Sequence, residues 1–151
     1  MSPLKFITVG LSIGAILLFS GCSAKGQKFV EFKKPQENYR MLYVYRPSFT
    51  LLNMLDYKIF ISNSTMHNFM VGELINGGYV EINLPTGENK IRFAAEDPFF
   101  GGSYSSTKVL DLKNEETYCV KVGIPAIGGR PSFELVDMAT CKSEIIATKK
   151  F

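Results

Sequence analysis

GGYVEINLPTGENKIRF, Gly77 to Phe93, alternates apolar and polar side chains on both sides of a break. Val80, Ile82 and Leu84 are separated by Glu81 and Asn83, and beyond Pro85-Thr86-Gly87 the residues Ile91 and Phe93 alternate with Lys90 and Arg92. A period of two sends successive side chains to opposite faces of a strand, so each run predicts a strand with one apolar and one solvated face. Proline presets φ and glycine supplies positive φ, which makes the intervening residues a turn.

The same period recurs on either side of this stretch. Leu42 and Val44 alternate with Tyr43 and Tyr45, Ile59 and Ile61 with Lys58, Phe60 and Ser62, Leu110 and Leu112 with Val109 and Asp111, and Phe133 and Leu135 with Glu134 and Val136. Asn63-Ser64, Asn76-Gly77-Gly78, Gly101-Gly102 and Lys113-Asn114-Glu115 punctuate the runs. About seven or eight short strands in roughly 100 residues predict an all-β fold, an antiparallel β-sandwich or small barrel with one face of each sheet solvated. The one helix expected spans Met138 to Ala147. The expected organisation is a signal over 1–21, a membrane-proximal tether over 22–40, a sandwich over 41–137 and a C-terminal segment over 138–151 packing on it.

The amino-terminal stretch carries the clearest functional message. One lysine, Lys5, precedes the uncharged run Phe6 to Phe19, and Ser20-Gly21 supplies small residues before Cys22. This is the layout of an export signal. The run is shorter than the roughly 20 residues that span a bilayer, and Gly10 and Gly14 interrupt it, which argues against an uncleaved anchor. Leu18, Ser20, Gly21 and Cys22 resemble the lipobox of bacterial lipoproteins, with Phe19 where leucine is more usual. The resemblance implies cleavage before Cys22, acyl chains on its thiol and its new amino terminus, and, with Ser23 following, sorting to the outer membrane facing the periplasm. An ordinary cleaved signal is the competing reading.

Of the 17 basic residues only Lys5 leaves with the signal, against 14 acidic ones, so the mature chain is nearly balanced and has no field to draw nucleic acid. The local exception is Lys25, Lys28, Lys33 and Lys34 beside the attachment point, which suit a polar tether with contact to anionic head groups as a secondary role. An exported chain meets an oxidising compartment. Alternation in TYCVKV places Cys119 on the face away from the core, and DMATCKSEII could fold back to bring Cys141 near it, as a disulfide or as two free thiols.

YVYRP (Tyr43 to Pro47), VGELINGGYVEINLPTGENKIRF (Val71 to Phe93), ETYCVKV (Glu116 to Val122) and FELVD (Phe133 to Asp137) resemble a family of small bacterial lipoproteins known only as a domain of unknown function. The resemblance implies a sandwich similar to prealbumin-like modules. It brings no catalytic residues.

Catalysis needs a nucleophile, base or metal placed with partners. His67 is the single histidine and lies in the polar stretch STMHN, which suits a surface turn; no metal or cofactor is expected. Glu96-Asp97 and Glu115-Glu116 are adjacent pairs whose side chains point to opposite faces in a strand, unlike a glycosidase pair. Asn63-Ser64-Thr65 reads as a turn. Phe99, Phe100 and Tyr104 in EDPFFGGSY, with the apolar PSFTLLNML, either cap the ends of the sandwich or form a docking patch with Arg46 and Arg130. The expectation is a non-enzymatic envelope lipoprotein that binds or helps assemble another envelope protein. The alternative is a periplasmic small-ligand or glycan-binding module.

Overall fold

A computed structural model describes residues 24–48, 55–96, 101–123 and 131–151. They form β1 (Tyr39–Tyr45), β2 (Tyr57–Ser62), β3 (Phe69–Leu74), β4 (Gly78–Pro85), β5 (Gly87–Glu96), β6 (Ser103–Leu112), β7 (Thr117–Gly123), β8 (Ser132–Val136), α1 (Met138–Ile145) and β9 (Lys149–Lys150). One sheet has the order β8-β7-β1-β4-β9 and the other β3-β2-β5-β6. The all-β sandwich read from the alternation is the fold, with α1 as its one short helix.

The opening stretch contains the corner that makes two layers. β4 lies in the five-stranded sheet and β5 in the four-stranded one, so Pro85-Thr86-Gly87 carries the chain across. Gly87 has φ +102°, a conformation that a Cβ would strain. Asn89, wholly buried, pins the corner: its Nδ2 donates to the carbonyls of Pro85 and Gly87, and its Oδ1 accepts from Asn63 Nδ2 at 2.9 Å. Buried amides are tolerated only with such satisfaction. Asn63 also accepts from the Thr65 and Met66 N–H groups, which closes the β2–β3 turn.

Leu42, Val44, Ile82 and Val120 from one sheet and Ile59, Ile61, Ile91 and Phe93 from the other share one buried cluster. Phe93 on β5 stacks on Phe133 of β8 at 3.8 Å between centroids, a contact that joins the two sheets. The four-stranded sheet is antiparallel throughout. In the five-stranded sheet, β1 pairs with β7 in parallel and β4 with β9 in parallel, which departs from the wholly antiparallel expectation. Period-two alternation is the same for either direction, so direction is invisible to it.

A second correction concerns the supposedly solvated face of the five-stranded sheet. Tyr43 and Tyr45, expected outside, are completely buried. Two pieces of chain cover them. On one side runs a strap, residues 24–36, whose Phe29 packs against Tyr43 and Tyr79 and whose Phe32 packs against Tyr43, with centroids 5.1 to 5.9 Å apart. The stretch expected as a tether over 22–40 is therefore laid down from Ala24 onward, because Phe29 and Phe32 have an aromatic surface to bury against. On the other side lies α1, which is capped by Asp137, whose carboxylate accepts from the Thr140 N–H, and which buries Cys141 and Ile145.

Candidate functional site

A disulfide and two carboxylates lock the covered face. Cys119 on β7 is disulfide-bonded to Cys141 on α1. Glu144 accepts from the Tyr45 hydroxyl at 2.6 Å and from Lys121 Nζ at 2.7 Å, and those bonds, Lys121 first, hold its carboxyl below the usual range. Burial pushes the Tyr45 hydroxyl upward, with Glu144 adding to it. Glu81 on β4 receives both Lys33 from the strap and Lys150 from β9. Burial alone would raise the Glu81 carboxyl, but the hydrogen bonds from Lys150 and Lys33 outweigh it and hold it low.

The outer face of the four-stranded sheet has no such cover among the described residues. Tyr57, Ile59 and Ile61 of β2 face the core, so Lys58 and Phe60 face out. The register sets Lys58 opposite Ala94 and Ala94 opposite Ser105, with Phe60 opposite Arg92 and Arg92 opposite Thr107 on the next row. Small side chains flanked by long ones leave a trough of about 520 Å³ lined by Asp56, Lys58, Phe60, Arg92, Ser103, Tyr104 and Ser105 among others. Arg92 is held ready: its guanidinium carbon lies 4.0 Å from the Phe60 ring centroid, and Nε and Nη2 donate to Asn68 Oδ1 at 3.1 and 2.8 Å. Cation–π contact and the bonds to Asn68 fix the orientation of its planar fork.

Lys58 and Arg92 are outnumbered by the three carboxyl side chains Asp56, Glu73 and Glu96 around the same trough. Asp56 is pushed up by burial and by Glu73, against the pull of Arg46. The surface thus offers hydroxyls, one aromatic ring, one phenol and charges of both signs, the elements of polar recognition around an apolar patch.

Arg46, expected among exposed anchors, is 1 % exposed. Its side chain turns inward at the end of β1, donates from Nη1 to the Leu55 carbonyl and lies 5.5 Å from the Tyr57 ring centroid. Burial lowers its affinity for the proton, opposed by Tyr57 and Asp56. Tyr45 at the end of β1 lies under α1, whereas Arg46, the next residue, turns toward the opposite side of the sheet beside Tyr57. Tyr104 is half-buried in the wall of the trough. Cys22, Phe99, Phe100 and Arg130 lie outside the described residues. His67 is exposed in the β2–β3 connection.

Sequence reasoning missed Phe60, Arg92 and Asn68 as a unit. The available signal was an aromatic residue in a solvated register position of KIFIS. Among the described residues no group of three or more His, Cys, Asp or Glu side chains is placed to hold a metal ion, and no helix is long and apolar enough to cross a membrane. The fold and these two unlike faces define an all-β sandwich module with one face closed by its own chain. Comparison with protein-family models, with curated proteins and with solved structures finds no match.

Proposed function

We propose that the protein is a lipid-anchored envelope module, attached through Cys22 and facing the periplasm from the outer membrane, that binds another envelope protein without catalysing a reaction. The observation that carries the binding part is the asymmetry of the sandwich. The five-stranded sheet is sealed by the strap, α1 and a disulfide, whereas the four-stranded sheet presents Phe60, Met70 and an oriented Arg92 outward. Aromatic and arginine side chains on an otherwise polar face are the usual anchors of an interface. The disulfide fits an oxidising compartment, and the signal layout supports the anchor.

The trough favours a second reading, a short glycan or small polar ligand held by Tyr104, Phe60, Ser103 and Ser105. Ser105→Arg separates both from a structural role, because Ser105 is exposed and its replacement fills the trough without touching the core. Crosslinked envelope material should lose its partner adduct with this variant while the melting temperature stays put. Retained adducts with full occupancy would remove the open face from the proposal. Loss of soluble muropeptide or oligosaccharide binding, with adducts intact, would favour the glycan.

A further inference from the structure

Both ends of the described chain meet on one edge of the sandwich. Ala24 is 3 % exposed and donates its N–H to the Asn76 carbonyl at the β3–β4 turn. Lys28 bridges to Lys149, Lys150 donates its N–H to Gln27, and Gly26 passes so close that a Cβ there would strike the Lys150 carbonyl oxygen. Strap and β9 thus form one rim beside β4.

This rim is rich in cations. Lys25, Lys28, Lys33, Lys34, Lys149 and Lys150 line its two segments, against Glu31 on the strap and Glu81 beneath. Lys33 and Lys150 are committed to Glu81. Lys25, Lys28, Lys34 and Lys149 make no ion pair with a described residue, and Val30 and Phe151 are exposed beside them, Val30 at 85 %.

We infer that this rim is the surface that rests on the bilayer, its unpaired lysines against anionic lipid head groups and Val30 and Phe151 at the interface. The inference rests on the reading of Cys22 as acylated. Ala24, already fixed in the fold, is two residues from Cys22, and two residues reach at most about 7 Å. That is within the Debye length of about 8 Å at physiological ionic strength, so the lysines nearest Ala24 are held in the range where an anionic surface still attracts them. The open face of the four-stranded sheet belongs to the opposite layer and stays free for a partner.

Lysine footprinting of the natural protein tests this. Protein purified from its membrane is reconstituted in phosphatidylcholine vesicles with and without phosphatidylglycerol, pulsed with an amine-acetylating reagent and mapped by mass spectrometry. Lys25, Lys28 and Lys149 should react several-fold more slowly in the anionic vesicles, Lys58 and Lys90 at the same rate in both, and about 1 M salt should abolish the difference. Equal rates at the rim in both lipids, or slowing at Lys58 and Lys90 instead, would overturn the assignment. The intact mass of the same sample reads acylation of Cys22 separately. A protected rim on an unacylated chain would therefore keep this face and remove the anchor, and a reactive rim on an acylated chain would do the reverse.

Discussion

Cys119, in β7 beneath α1, is bonded to Cys141 within that helix, 22 positions along the chain, with their Cα atoms 6.1 Å apart. The bond ties a helix of only eight residues to the sheet it covers. Helices this short are marginal on their own. Closing a loop of that length removes unfolded-state entropy worth about 3 kcal/mol. Replacing both cysteines by serine should lower the unfolding free energy by about that amount, read as a lower denaturant midpoint, and non-reducing peptide mapping of the native protein should show the 119–141 pair. Two titratable thiols in the folded protein would contradict it.

Glu81 clamps the strap and β9 to β4 at once. Its depressed folded value lies below the ordinary glutamate value of 4.5, so the stability it contributes is complete above that pH and is lost as pH falls through the folded value. Glu81→Gln should cost about 1 kcal/mol at neutral pH, since both lysines are partly solvated. It should also flatten the acid limb of the stability curve and speed amide exchange across residues 24–36. Unchanged exchange there would show that aromatic packing alone holds the strap.

Phe93 is wholly buried and its stacking on Phe133 bridges the layers. Phe93→Ala should cost about 3–5 kcal/mol by cavity formation and lost transfer energy. Phe93→Leu should cost markedly less. Urea melts of the two variants check the order.

The proposed anchor makes its own prediction. The intact mass of protein from the native envelope should correspond to a chain beginning at Cys22 plus acyl chains, and Cys22→Ser should release the protein from membranes. Two or more chains are needed for firm attachment, at about 0.8 kcal/mol per buried methylene.

Much of the sandwich was legible because its core strands alternate cleanly: Ile59, Ile61, Ile91 and Phe93 are inside, as their period dictates. β3 and β9 were not. Phe69 and Met70 open β3 as exposed apolar residues, so the strand lacks a clean alternation, and β9 is two lysines whose pairing comes from the neighbouring backbone. The strap was hidden by its lysines, although Phe29 and Phe32, and tyrosines where solvated positions were expected, hinted at a cover. The inward turn of Arg46 follows from the end of β1, where alternation assigns it to the core side; YVYRP alone does not reveal how deeply it sinks. The trough depends on the register between β2, β5 and β6, which sets Ala94 and Ser105 side by side and which no single run of sequence specifies.

The asymmetry between a sealed and an open sheet is tested most directly by photo-crosslinking in intact cells, with a photoreactive residue at Thr107 on the open face or at Lys142 on α1. Thr107 should give a discrete protein adduct and Lys142 none. Adducts from Lys142 alone, or equal adducts from both positions, would contradict the account.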